Sequence, residues 1–396
     1  MTGLSQLIRP RALTPPLFKK KLQEPKGTIP ASLDCHIDTS PIIILNDGDD
    51  SDSSTITGSL LFDVTEDAVE VESLYAVLRV HVVHKKPFKK GCKDCKHQLT
   101  ELKRCQFVKT TTVLDRNTHS FPFSYRIPSY VPPSMDTSIV SVSYEFEAVA
   151  SIRRKGQLSK TPEVIKLNRL LPVARSISVP DSPSRSSRIF QSAGIEVGCS
   201  FGPVVDPSSK NTASLTMTGL RSCPGNGDNV QFWRICKGTW ALEETTKTTA
   251  MPCTHHAQQD GASREEGQAQ KKTSILGDST FYDGWTTNDD VGTLNMDFPF
   301  SIKKSAKYTQ DTGDVGNTSV THALVLELVL MKEYYPIGQP DQAVRTGAGR
   351  ILRSEHRVVL SEYARHTNHT TEESLPCYQD LWPSPPVYKE EHAATE

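Results

Sequence analysis

The chain has no long apolar run, no apolar core of a signal peptide and no sustained helical repeat. Its longest apolar stretch, from Ala323 to Met331, is short and is interrupted by Glu327. A membrane-spanning helix needs about 20 apolar residues, and an amphipathic helix needs an apolar repeat of about 3.6 residues. We therefore expect a protein that neither crosses a membrane nor is secreted, with few helices in its fold.

Sequence signatures of common catalytic sites are missing as well. The chain has no nucleophile elbow, no phosphate-binding or dinucleotide-binding glycine motif, and no zinc-protease helix. We predict that it is not an enzyme and uses no cofactor. Lys and Arg number 45 against 46 Asp and Glu, so the overall charge gives no reason to expect a nucleic acid as partner.

A secreted disulfide framework is not indicated, because the nine cysteines are odd in number and irregularly spaced. We expect a reduced, cytoplasmic protein. Cys92 and Cys95 form a Cys-x-x-Cys pair with His97 and Cys105 nearby, but no second such pair follows at zinc-finger spacing. Structural cysteines in a basic hairpin loop are favoured, and zinc stays open as the minority alternative.

The polar run from Thr245 to Thr273 is predicted to be a long loop within a second set of strands. It holds Cys253, His255 and His256. Polar loops often carry such residues without any chemical role, so we interpret these three as bystanders. No metal ligand is assigned anywhere in the chain.

What the sequence does contain, repeatedly, is a two-residue alternation of apolar and polar side chains. The stretches from Val140 to Ile152 and from Leu74 to Val82 both predict strands with one solvent-exposed face. The stretch from Ala323 to Met331 is apolar on both faces and predicts an inner strand. Turn-rich segments separate the strands, which favours antiparallel sandwiches. Further strand-like runs are 41–45, 56–64, 106–114, 212–220, 230–244, 293–302 and 351–363.

Composition divides the chain into five parts. We predict an all-β protein of two tandem immunoglobulin-type β-sandwiches with disordered ends. The predicted parts are a basic N-terminus 1–30, a first sandwich 31–170, a Ser/Pro/Arg linker 171–192, a second sandwich 193–364 and a disordered tail 365–396.

The predicted tail ends in a short recognition motif. Pro385, Pro386 and Tyr388 form Pro-Pro-x-Tyr, a segment stiffened toward polyproline II that fits the aromatic groove of a WW domain. Pro376 and Tyr378 repeat two of these anchors with Leu in place of the first Pro, which predicts a weaker copy. The alternative is a Pro-rich terminus with no partner.

Two charged segments suggest regulation and surface contact. Ser178 and Ser182 lie in the Arg-containing linker and are candidate phosphorylation sites, where a phosphate adds about −1.5 to −2 charges. Residues 79–109 hold ten Lys and Arg against Asp94 and Glu101. This segment is a candidate contact for anionic lipid, and a solvated basic loop explains it equally well.

Residues 118–128 combine Phe121, Phe123 and Tyr125 on one face with two prolines, and a Tyr-bearing strand follows. The pattern resembles the arrestin N-domain, and Pro122 suits a sheet edge. Over about 31–388 the chain resembles one fungal α-arrestin subfamily, the arrestin-related trafficking adaptors. The segments that carry this wider resemblance are 32–41, 69–74, 100–104, 239–245 and 320–325.

The resemblance implies tandem arrestin-like sandwiches and an adaptor function. Such a protein recruits a WW-domain HECT-type ubiquitin ligase to plasma-membrane transporters or permeases and so promotes their ubiquitination and endocytosis. Pro385, Pro386 and Tyr388 match the ligase-binding motif of the family. A cytoplasmic protein recruited to the plasma membrane, Golgi or endosomes is expected. The alternative is an arrestin-fold signalling scaffold, in pH sensing or receptor desensitisation, whose tail controls its own turnover.

Overall fold

The computed structural model describes residues 30–44, 55–128, 131–154, 161–180, 182–223, 229–259, 267–315 and 317–366. Strands make up most of this part of the chain, which confirms the predicted all-β class. The helices are single short turns, and none of those described is long and apolar enough to span a membrane. They are α1 (Lys93–Lys96), α2 (Thr254–Gln259) and a 3-10 turn (Pro340–Gln342).

The first sandwich packs a three-stranded sheet, in the order β1-β3-β7, against a six-stranded sheet built on β10-β9-β4-β5. In the larger sheet, β6 pairs with β4 and β8 pairs with β9. The strands of this part are β1 (Ala31–Ile37), β2 (Ile42–Ile44), β3 (Thr55–Val64), β4 (Ala68–His84), β5 (His97–Val108), β6 (Thr112–Asp115), β7 (Thr118–Arg126), β8 (Met135–Asp136), β9 (Val140–Arg154) and β10 (Glu163–Leu171).

The predicted alternation explains how the two sheets of this sandwich meet. Every second residue of β9 turns inward, and Phe146 stacks on Phe123 of β7 with ring centroids 5.0 Å apart. Strand β7 pairs with β3 and lies at the edge of its sheet. An edge position accommodates Pro122, because proline has no N–H to donate to a further strand.

The second sandwich packs a five-stranded sheet, in the order β13-β14-β15-β20-β19, against a six-stranded sheet built on β16-β17-β22-β21. In the larger sheet, β18 pairs with β17 and β23 pairs with β22. The strands of this part are β11 (Val173–Arg175), β12 (Ile177–Val179), β13 (Ser184–Phe190), β14 (Ile195–Phe201), β15 (Asn211–Thr218), β16 (Arg221–Ser222), β17 (Asn229–Ala250), β18 (Gln268–Phe281), β19 (Thr286–Asn288), β20 (Thr293–Phe300), β21 (Gly313–Val315), β22 (Thr318–Pro336), β23 (Val344–Val358) and β24 (Ala364–His366), with β11 and β12 preceding the sandwich itself.

The predicted linker 171–192 consists mostly of short strands. Strand β11 runs parallel to β2 of the first sandwich, and β12 runs parallel to β24 of the second. Strand β13 is the edge of the five-stranded sheet. Ile177 and Val179 alternate with polar residues and Arg175 is buried, so this segment joins the two sandwiches through sheet hydrogen bonds.

The predicted polar loop 245–273 is also shorter than expected. Strand β17 continues to Ala250, and β18 begins at Gln268. Threonine is β-branched and suits a strand even when it is polar, and four of the six residues from Thr245 to Ala250 are threonines. The two strands therefore extend as a long hairpin whose tip carries α2.

Candidate metal centre and partner-binding residues

The hairpin between β4 and β5 places two cysteines in one tight turn. Gly91 has a positive φ of 85°, which lets the chain enter α1 without the strain that a side chain would cause. Cys92 caps α1, and its Sγ accepts a hydrogen bond from the Cys95 backbone N–H at 3.5 Å. Cys95 is buried and Cys92 is half-buried. A Cys-x-x-Cys turn thus presents both thiols to the same side.

The tip of the β17–β18 hairpin contributes a second turn with a matching spacing. Pro252 and Cys253 precede α2, and the Ala257 backbone N–H donates to the Cys253 carbonyl at 2.9 Å. This turn brings the Cys253 Sγ to 3.1 Å from His256 Nδ1. Cys-x-x-His therefore forms a second pair of metal-ligating atoms.

The two turns meet, although one belongs to the first sandwich and the other to the second. One ligand atom from each of Cys92, Cys95, Cys253 and His256 lies within 4.8 Å of all the others. Cys92 Sγ is 3.9 Å from Cys253 Sγ, and Cys95 Sγ is 3.5 Å from His256 Nδ1. Tetrahedral zinc with ordinary bond lengths requires S–S separations of about 3.8 Å and S–N separations of about 3.6 Å. The distances thus match a Cys3His zinc ligand set.

Hydrogen bonding and burial shift the pKa values of two of the thiols in opposite directions. The backbone and the ring of His256 hold the pKa of Cys253 below its usual range, at about 6. Burial raises the pKa of Cys95, an effect that the Cys253 backbone N–H partly offsets. The turn therefore favours a thiolate at Cys253.

Hydrogen bonds also join the two sandwiches around these four residues. Gln98 Nε2 donates to the Met251 carbonyl at 3.1 Å, and Gln270 Nε2 donates to the Lys86 carbonyl at 2.6 Å. The bonds run in opposite directions, one from each sandwich to a backbone carbonyl of the other. The Cys and His turns are thus held at an interface between sandwiches.

Exposed lysines lie on both of the hairpins that meet at this interface, and we call them the basic rim. A cavity of about 420 Å³ beside it is lined by residues of β17, β18 and β22, including Lys247 and Lys271. The cavity residues belong to the second sandwich, and the lysines of the β4–β5 hairpin belong to the first. The basic rim comprises Lys85, Lys86, Lys89, Lys90, Lys93, Lys96, Lys247, Lys271 and Lys272.

Three residues considered with the cysteine motifs do not join the cluster. Cys105 lies in β5 among core side chains such as Phe123, where burial raises the pKa of its thiol. The His97 ring lies against His81, with Nδ1 3.2 Å from His81 Nε2. His255 packs edge-on against His256. Cys253 and His256, interpreted from sequence as bystanders, instead face Cys92 and Cys95.

The candidate phosphorylation sites lie within residues 171–192, which we call the crossing segment because its strands pair first with the first sandwich and then with the second. The backbone of Ser178 belongs to β12 and pairs with Arg365 of β24. Ser182 is exposed just before β13. Arg175 is buried and donates to the Val131 carbonyl at 2.9 Å, so it is not available to a phosphate there. Arg188 donates to the Glu355 carbonyl at 3.0 Å.

The predicted ligase-binding residues lie outside the described part of the chain. They are Pro376, Tyr378, Pro385, Pro386 and Tyr388. The described chain ends at His366, two residues into the predicted tail. The WW-binding assignment therefore continues to rest on the sequence motif.

Comparison with known proteins bears on the fold and its family. Residues 73–259 match the LDB19 family, described as arrestin N-terminal like. An uncharacterized protein of Schizosaccharomyces pombe is 24% identical over 365 residues, which cover 91% of this chain and 90% of that protein. Protein LDB19 of Saccharomyces cerevisiae is 30% identical over 184 residues, or 42% of this chain. These matches support an arrestin-related family.

The arrestin-like match contains all four residues of the Cys and His cluster and ends at Gln259, the last residue of α2. Protein LDB19 of Eremothecium gossypii is 24% identical over 303 residues, or 72% of this chain. The matches cover 21% of the Saccharomyces protein and 42% of the Eremothecium protein. Arrestin-like proteins are in general not enzymes, and the homologues suggest an arrestin-related adaptor.

Proposed function

We propose that the chain is an adaptor that brings a WW-domain HECT-type ubiquitin ligase to plasma-membrane transporters or permeases. The observation that carries the proposal is the combination of an arrestin-like tandem sandwich with a Pro-Pro-x-Tyr motif that follows the last described strand in the sequence. The sandwiches offer broad sheet surfaces to a cargo protein. Pro385, Pro386 and Tyr388 supply a short peptide whose prolines limit the entropy lost on docking.

In this arrangement the tail and the folded part have different roles. The tail binds the ligase, and the folded part positions cargo lysines within reach of it. The adaptor resides in the cytoplasm and is recruited to the plasma membrane, Golgi or endosomes where cargo is present. Ubiquitination and endocytosis of the transporter are the output, and the adaptor itself catalyses no reaction.

The basic rim supports a contact with anionic lipid during recruitment. Its lysines are exposed and come from both sandwiches, and each lysine near an anionic surface contributes about 1 kcal/mol. Replacing Lys89 and Lys90 by Glu should weaken binding to phosphatidylserine vesicles. The charge-matched control replaces Lys166 of β10 and Lys210, which directly precedes β15, by Glu; both of these lysines are exposed. Equal loss in both double variants in a sedimentation assay would contradict a contact through the rim.

The adaptor function is tested in cells that depend on this chain for transporter uptake. Tyr388→Ala should reduce ubiquitination and internalisation of the transporter at least severalfold, because the tyrosine anchor of the motif is lost. Val387→Ala changes the variable position of the motif and should leave uptake near normal. Normal uptake with Tyr388→Ala, together with slower turnover of the variant itself, would support the signalling scaffold instead.

A further inference from the structure

We propose that Cys92, Cys95, Cys253 and His256 bind one Zn²⁺ ion that clamps the first sandwich to the second. The site is independent of the tail motif and of any transporter. Its ligand class is a soft divalent metal, because three thiolates and one imidazole favour zinc over the hard cations magnesium and calcium.

Geometry is the first argument. The four residues arrive as two one-turn pairs, Cys-x-x-Cys on α1 and Cys-x-x-His before and within α2. Short pairs of this kind let two ligands from one turn reach the same ion. The Cys92–Cys253 and Cys95–His256 separations lie close to the edges of a zinc tetrahedron, and the Cys253–His256 separation of 3.1 Å is about 0.5 Å shorter than such an edge.

The second argument is the environment of the ligands. Cys95 is fully buried, and the other three residues are half-buried. Three thiols and a histidine in one half-buried cluster are poorly matched hydrogen-bond partners for each other, whereas a metal ion satisfies all four at once. Zinc with three thiolates carries a net charge of about −1, and the exposed Lys93 and Lys96 are sequence neighbours of Cys92 and Cys95.

Backbone N–H groups complete the surroundings that a thiolate–zinc site needs. The Cys95 N–H points to Cys92 Sγ at 3.5 Å, and the His256 backbone hydrogen-bonds to Cys253. Such outer hydrogen bonds orient metal ligands and stabilise their charged form. Each thiol that is still protonated releases its proton when the metal binds.

The position of the site gives it a structural consequence. Along the chain the sandwiches are joined by the crossing segment, where the Ser176 N–H donates to the Ile44 carbonyl and the Ile177 N–H donates to the Tyr363 carbonyl. The metal ligands lie on different elements, the tips of the β4–β5 and β17–β18 hairpins. A metal-dependent link at these tips, in addition to the Gln98–Met251 and Gln270–Lys86 hydrogen bonds, restrains rotation of one sandwich against the other.

Metal content is the direct test. The full chain, purified without a histidine tag and under reducing conditions, should contain one zinc per chain by mass spectrometry. Cys92→Ser and Cys253→Ser should lose most of that zinc. Cys105→Ser and Cys223→Ser remove thiols outside the cluster and should retain it. A reduced chain that takes up no zinc or cobalt, or control variants that lose as much metal as the cluster variants, would overturn the proposal.

Cobalt substitution distinguishes the loss of a metal ligand from a failure of the variant to fold. The wild-type chain should show the visible bands of tetrahedral cobalt and a thiolate-to-cobalt charge-transfer band. His256→Cys keeps a four-ligand set and should retain the metal with a shifted spectrum, whereas His256→Ala should bind it less tightly. An octahedral cobalt spectrum in the wild-type chain would contradict the Cys3His assignment.

The clamp itself is tested by hydrogen exchange on the wild-type chain with and without a zinc chelator. Chelation should speed exchange in residues 86–96 and 250–259 together, because both turns lose the same ion. The inner strands β9 and β22 should exchange as before. Faster exchange in one turn alone would show that the metal does not bridge the sandwiches.

Discussion

His322 is a buried ring surrounded by charged side chains of the second sandwich. Its Nδ1 lies 3.4 Å from Asp311, and its Nε2 lies 3.6 Å from Glu244. Arg357 in turn donates to Asp311 at 2.9 Å. Burial disfavours the charged ring, yet the two carboxylates outweigh it and raise the pKa of His322 above its ordinary value of 6.5. A protonated histidine therefore belongs to the folded state.

This raised pKa fixes the sign of a pH effect on stability. The folded chain holds the His322 proton more tightly than the unfolded chain does. The stabilisation is therefore fully present below pH 6.5 and is lost as pH rises through the higher pKa of the folded state. His322→Gln should lower the melting temperature more at pH 6 than at pH 8.5.

The matched control for His322 is His36→Gln, at a side chain that is 70% exposed. It should change the melting temperature little at either pH. A deficit of His322→Gln that grows as pH rises would contradict the assignment, since it would mean that the folded chain favours the neutral ring.

At the scale of elements, β3 depends on close contact with its neighbour β1. Gly58 pairs with Ile37, and a Cβ placed on it would lie 2.3 Å from the His36 carbonyl oxygen. That atom is backbone and cannot move without disturbing the β1–β3 pairing. Gly58→Ala should therefore lower the free energy of unfolding by about 1–3 kcal/mol, measured by urea denaturation.

Gly202→Ala is the companion variant for this test. A Cβ there meets its nearest atom, the Val204 carbonyl oxygen, at an ordinary 3.5 Å, and a surface change of this kind usually stays within about 0.5 kcal/mol. Equal stability of the two variants would show that the β1–β3 contact tolerates a methyl group.

The structure of the crossing segment predicts that Ser182 is phosphorylated more readily than Ser178. A kinase must bind its substrate backbone in an accessible form, and the Ser178 backbone is paired with Arg365 in the β12–β24 ladder. Ser182 is exposed and lies outside a strand. Phosphopeptide mapping in nutrient-rich and starved cells should therefore find higher occupancy at Ser182 than at Ser178. The reverse order would indicate that β12 detaches from β24 in the cell.

Strands with one solvent-exposed face could be predicted from the sequence, because burial of every second residue produces an alternation of apolar and polar side chains. Strand β9 and the aromatic face of β7 are examples. The strands of the crossing segment could not be predicted in this way, because β11 and β12 have three residues each and pair with strands far away in the chain. Polar threonines likewise concealed the ends of β17 and β18.

At the scale of the whole molecule, the tandem sandwiches could be predicted from the many strands in the sequence, some with one solvent-exposed face and one apolar on both faces. The metal cluster could not be predicted in this way. Each half of the cluster is visible in sequence as a Cys-x-x-Cys or Cys-x-x-His pair. Cys92 and Cys253 are 161 residues apart, and only the packing of one sandwich on the other brings them together. A search for two-ligand pairs at any separation would have found the halves without showing that they meet.

The adaptor function depends on binding of the tail to a ligase. The central measurement is a calorimetric titration of the full chain with isolated WW domains of a HECT-type ligase, beside Tyr388→Ala, Tyr378→Ala and Val387→Ala. We expect micromolar binding, about −8 kcal/mol, that is abolished by Tyr388→Ala, weakened slightly by Tyr378→Ala and kept by Val387→Ala. No binding by the wild-type chain, or binding that survives Tyr388→Ala, would contradict the adaptor function.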